Sequence, residues 1–222
     1  MQQPSRKQGG FTLVEIAIVL VIIGLLLGGV LKGQEMIENG RVKSASNDLN
    51  GITAAYNSYI DRYRRIPGDD GPQGTLNARG GSWGNAVAAG NVNGTIDAAT
   101  GDAFNGTGEV DNFFQHLRAA GFLTGDANAT GANALPTNAW GGRVGILNAA
   151  GIQGRANNAV RLMACMGNVS GKAAQALDAQ LDDGAPNRGS LRATQGGNNT
   201  VPAGAAGAYN EGQVYTVCRD LT

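Results

Sequence analysis

The chain has 222 residues, enough for one ordinary domain with an appendage and too few for several large ones. Lysine plus arginine and aspartate plus glutamate each total 17, so no global excess of charge directs the molecule to nucleic acid, and no nucleic-acid partner is expected. The 36 glycines and an aromatic share of 5% leave little material for a dense core and predict a small, loop-rich fold.

From the N-terminus, Met1 to Gly10 reads MQQPSRKQGG, a polar leader carrying Arg6 and Lys7. It abuts Phe11 to Leu31, a run of apolar residues with a single charge, Glu15. A helix of that length spans roughly 30 Å, the thickness of a bilayer's hydrocarbon core. The positive leader is expected to stay cytoplasmic, which puts everything after Lys32 on the far side of the membrane. An ordinary secretory signal would be shorter and would end in small residues at its cleavage site, and Val30-Leu31-Lys32-Gly33 has no such pattern. A plain signal anchor leaves Glu15 unexplained, because a lone carboxylate in lipid costs about 2 to 3 kcal/mol or more and calls for a cationic partner.

The run Gly10-Phe11-Thr12-Leu13-Val14-Glu15, followed at once by an apolar helix, resembles the processing signature of type IV prepilins and type II secretion pseudopilins. The resemblance implies cleavage after Gly10 by a membrane-embedded prepilin peptidase and methylation of the new N-terminus at Phe11. Glu15 then stands as the fifth residue of the mature chain, where it neutralises the α-ammonium of a neighbouring subunit's Phe11 and sets the register of assembly. The partners implied are other copies of the chain or other pilins, the peptidase, the inner membrane before assembly and an inner-membrane assembly platform. The implied location is the bacterial inner membrane with a single span and a periplasmic head, then an extracellular pilus or a periplasmic pseudopilus.

The organisation expected is a leader at 1–10, a transmembrane and filament-core helix half at 11–31, an amphipathic half at 32–66 and a head at 67–222. Val42, Ala45, Leu49, Ile52, Tyr56, Tyr59, Tyr63 and Ile66 recur at steps of three and four, one apolar stripe suited to packing on a sheet. Pro67 ends the helix, since it lacks an amide hydrogen and disfavours helix in the residue before it. Gly24, Gly28, Gly29 and Gly33 stand where many type IV pilins carry a helix-breaking proline and this chain has Lys32. They are read equally as a site of local melting or as small faces for close helix packing in lipid.

In the head, Gly68 to Gly108 holds 11 glycines in 41 residues and is expected to be a long surface loop with little secondary structure. Within it Asn91 to Asp97 faintly echoes a calcium loop, but the outer ligand positions would fall on Ala89 and Thr100. Asp111 to Ala120 reads as a short helix, and the single histidine, His116, is given a structural or surface role within it. Segments 143–147, 160–166, 190–193 and 213–218 read as strands of an antiparallel sheet, with a helix at 170–181 between them. The turn Leu181 to Gly189 is similar to one in pilin-like heads, and Asp178, Asp182 and Asp183 could there hold calcium as in some pseudopilins. Calcium takes six or more oxygens, so a polar turn is the preferred reading and no other cofactor is expected.

Cys165 and Cys218 by themselves fit either a bridge or two buried thiols, depending on compartment. On the periplasmic side they should pair, and in pilins the matching disulfide encloses a variable C-terminal region. The fold expected is α+β and pilin-like: a long N-terminal helix packed on a small antiparallel sheet with Gly/Asn-rich loops. Three functions compete: a pilus subunit, a pseudopilin of a type II secretion system, and a minor pilin with an adhesive or DNA-uptake role. An enzyme is disfavoured, because a chain with one histidine offers no Ser/His/Asp, Cys/His or metal-ligand constellation.

Overall fold

The computed structural model describes residues 10, 12–84, 87–156 and 161–221. Helix α1 runs Leu13–Tyr63 and in the single chain stays helical through Gly24, Gly28, Gly29 and Gly33. It ends three residues before the expected Ile66. Arg64 adopts φ 54°, a left-handed conformation that stops the helix ahead of Pro67.

By contact density the chain divides into two compact units, Met1–Gly40 and Arg41–Thr222. In the second unit the apolar stripe is buried as its spacing requires: Val42, Ala45, Leu49, Ile52, Tyr56 and Tyr59 are all buried, and Tyr63 and Ile66 pack at its edge.

The sheet is built from β1 (Val144–Asn148), β2 (Leu162–Ser170), β3 (Leu191–Gln195) and β4 (Val214–Asp220), all antiparallel in the order β1-β2-β4-β3. Alternate residues point to opposite faces. Ile146, Ala164, Met166, Ala193, Tyr215 and Val217 join the core of the α1 stripe, whereas Leu147, Met163, Cys165 and Cys218 form a second cluster with Phe104 and Ile152. The loop carrying Phe104 crosses β1 so closely that a Cβ on Gly145 would collide with the Ala103 carbonyl. Only glycine permits that approach.

Among the described residues three further α-helices lie in the second unit: α2 (Gln73–Asn77), α3 (Glu109–Ala119) and α4 (Gly171–Leu181), the last capped by Ser170, whose hydroxyl accepts from the Ala173 amide at 3.4 Å. The segment 68–108 departs from the surface loop expected of it. Its described residues are irregular beyond α2 and short 3₁₀ turns, yet Leu76, Trp83, Val87 and Ile96 are buried with the main core. Buried carboxylates make this possible by accepting from backbone amides that have no ladder. Asp69 takes those of Asn93 and Gly94, and Glu109 takes those of Asn91 and Asp97.

Candidate processing and assembly site

Gly10 is exposed and lies outside any helix, and Phe11, the expected methylation site, lies outside the described residues. Thr12 precedes α1 and forms a reciprocal cap with Glu15. The Thr12 amide and hydroxyl both donate to Glu15 Oε2 at 2.8 Å, and the Glu15 amide donates to Thr12 Oγ1 at 3.3 Å. This capping box satisfies amides that a helix start otherwise leaves unpaired. The spacing Thr12-x-x-Glu15 is its sequence signature, and reasoning only from the cost of a charge in lipid does not find it. Both bonds that Thr12 donates go to Glu15 Oε2, and among the described residues no donor reaches Oε1.

Beyond the cap, every large aliphatic side chain from Leu13 to Leu31 is exposed, from 46% at Ile23 to 91% at Leu13. A soluble monomer rarely shows so large an apolar surface. Among the described residues α1 is the one helix long and apolar enough to cross a membrane.

Cys165 on β2 lies directly opposite Cys218 on β4, both fully buried, and the two form a disulfide. Beside it Arg155 is buried with Asp220. Its Nε donates to Asp220 Oδ1 at 2.8 Å and its Nη2 to the carbonyls of Ser190 and Cys218. These residues are far apart in sequence, and no local pattern announces the pair.

The carboxylates of Asp178, Asp182 and Asp183 each bring one oxygen within 4.8 Å of the others. All three already have protein donors. Asp178 accepts from the Tyr209 hydroxyl at 2.7 Å and the Gly184 amide at 3.2 Å, Asp182 from the Leu191 amide at 3.0 Å, and Asp183 from Arg188 Nε at 2.7 Å and the Ala185 amide at 2.9 Å. Burial pushes the Asp178 carboxyl above the usual range, against the pull of those donors, and its acidic neighbours add to the rise. Calcium takes six or more oxygens; this group supplies three carboxylates, which an ion would have to draw from the donors they now bind.

In the echo of a calcium loop, Asp97 accepts from the side-chain amides of Asn91 and Asn93 at 2.6 and 2.7 Å, while Ala89 and Thr100 offer no carboxylate to close a ligand ring. His116 is fully buried: its Nδ1 accepts from the Gly68 amide at 2.9 Å, which leaves Nε2 to donate to the Ala88 carbonyl at 2.7 Å. Its role is structural, joining α3 to both ends of the segment that contains α2.

Compared with known families, residues 5–31 match the prokaryotic N-terminal methylation motif. No curated protein and no solved structure matches the chain. The motif implies prepilin peptidase processing and assembly with other pilins, and with the apolar helix it indicates membrane anchoring. Residues 5–31 thus carry the class III leader motif of type IV pilins and pseudopilins, which runs into the long N-terminal helix, and with the small four-stranded antiparallel sheet the architecture is consistent with the pilin fold.

Proposed function

We propose that this chain is the structural subunit of a type IV pilus-like filament. Prepilin peptidase cuts after Gly10, Phe11 becomes the N-methylated first residue, and the subunits polymerise through the apolar half of α1. The observation that carries this reading is the methylation motif at residues 5–31, which runs into a helix whose large aliphatic side chains up to Leu31 are exposed. Lipid covers those side chains before assembly and neighbouring copies cover them afterwards. Within the filament Glu15 pairs with the α-ammonium of an adjacent subunit. Such a pair adds little net stability in a low dielectric, but either charge left alone there is strongly unfavourable, so the pair fixes axial register.

A pseudopilin would share this N-terminal chemistry. The large head and its disulfide favour the pilus subunit. The acidic turn at Asp178, Asp182 and Asp183 acts as a self-contained polar turn, with no ion required. Mass spectrometry of the N-terminus from membrane and sheared-filament fractions tests the proposal. A chain beginning at N-methylated Phe11 in both fractions is the expected result, and a native protein that retains Met1 or starts beyond Leu31 would overturn it.

A further inference from the structure

Where α1 ends, its last turn borders a cleft of about 430 Å3 whose other walls are the turn 79–83 and Ala119–Ala120 of the α3 end; no acidic side chain lines it. The Arg79 guanidinium lies 4.2 Å from the Tyr63 ring centroid and 4.5 Å from that of Trp83, and the Arg62 guanidinium lies 5.2 Å from the same Tyr63 ring. Two cations therefore share one aromatic ring.

Arg79 is held from behind. Its Nη2 is 2.8 Å from Asp70 Oδ2 and its Nη1 donates to the Tyr59 hydroxyl at 3.3 Å. Asp70 offsets one of the two positive charges and leaves the other. Arg62 has no carboxylate partner among the described residues, because the adjacent Asp61 faces Arg64, at 3.9 Å. Trp83 is only 4% exposed and guanidiniums overlie both rings, so the cleft gives no open aromatic face on which a base or sugar could stack. Two guanidinium forks line it instead, a donor group that suits oxyanions, with the Nη atoms of Arg79 already in contact with Asp70 and Tyr59. A carboxylate fills one such fork, whereas a phosphate has three acceptor oxygens and up to two charges to meet two guanidiniums.

We propose that this cleft binds a phosphate group, free or carried on a sugar, with Arg79 as the fixed donor and Arg62 as the clamp that closes on it. The full chain in a neutral detergent is dialysed to equilibrium against inorganic phosphate and, separately, glucose 6-phosphate at constant ionic strength. Saturable binding of at least one probe is expected. Arg62→Gln, at an exposed position, should weaken it about tenfold, the scale of one lost hydrogen bond to a charged group, with an unchanged circular-dichroism spectrum. Arg65→Gln should leave binding intact, since Arg65 lines a different depression. Equal affinity for both probes assigns recognition to the phosphate alone, and preference for the sugar phosphate assigns it to a carried phosphate; both uphold the site. No saturation with either probe, an unaffected Arg62→Gln variant, or an equal loss in Arg65→Gln would overturn it.

Discussion

In the proposed filament Glu15 combines two tasks that a single substitution to alanine would remove together. Its Oε2 closes the cap with Thr12, and its charge is assigned to a neighbour's ammonium in the filament. Glutamine also serves in a capping box but carries no charge, so Glu15→Gln separates the two. Both Glu15→Gln and Glu15→Ala are expected to be cleaved after Gly10 and methylated normally. Both should be lost from sheared filaments, because an ammonium buried without its partner costs on the order of 3 kcal/mol, more than a hundredfold in association. Wild-type filament yield from Glu15→Gln would move the role of Glu15 from charge pairing to capping alone. A second outcome at this scale concerns the acidic turn. With Asp183 engaged by Arg188 and Asp178 by Tyr209, adding a chelator or millimolar calcium should leave the thermal midpoint of the purified protein unchanged. A rise of several degrees with calcium would show that the ion displaces those donors.

Among the elements, α3 and the segment it anchors depend on a neutral imidazole. Burial holds the His116 pKa below its usual value, only partly opposed by the bond to the Ala88 carbonyl and by Asp70, while Arg79 lowers it further. The unfolded chain then takes up a proton near pH 6.5 that the folded chain refuses. Stability is complete above that pH and falls as pH drops toward the folded value, by up to about 1.4 kcal/mol per unit. Glu109 and Asp111, on the same helix, are shifted upward by burial and work in the opposite sense, nearer the carboxylate range. Urea midpoints measured from pH 7 down to 5.5 should decline in the wild type and stay flatter in His116→Gln; parallel curves would remove His116 as the cause. The disulfide joins neighbouring strands across a sequence separation of 53, and chain entropy assigns such a loop on the order of 4 kcal/mol. Reduction should lower the urea midpoint accordingly, and an unchanged midpoint would show that the β2–β4 pairing holds the sheet without it.

Elements with a strong period were legible. The spacing from Val42 to Tyr59 named the buried face of α1, and the short apolar runs between glycines located all four strands, though β2 runs on to Ser170 and β4 to Asp220. The segment 68–108 was not legible as core, because its burial depends on pairings such as Gly68 with His116 and Asp70 with Tyr59, which leave no periodic trace. At the N-terminal site the motif gave the residues, while the cap on Glu15 required the geometry.

At the scale of the whole molecule, the two compact units differ in the solvent they need. The first exposes its aliphatic side chains, whereas the second encloses the Val42–Tyr59 face, both sides of the sheet and the disulfide within its own boundary. A side-chain hydrogen bond within this unit, from Arg219 Nη1 to Asn50 Oδ1 at 2.6 Å, ties β4 to the part of α1 that follows Arg41. Residues 41–222, exported to an oxidising periplasm, are therefore expected to fold as a soluble monomer with one cooperative melting transition and no free thiol. The full chain should instead partition into membranes or detergent. The retained part of α1, 41–63, is stabilised chiefly by its buried stripe, since tertiary packing of an amphipathic face supplies most of the stability of a helix in a protein. Replacing Leu49 with alanine in the fragment should consequently cost about 2 to 5 kcal/mol and melt helix and sheet together, read as coincident losses of far- and near-ultraviolet circular dichroism. If the sheet signal survives while the helical signal is lost, the head's core does not depend on the helix, and the two must be treated as separately folding parts.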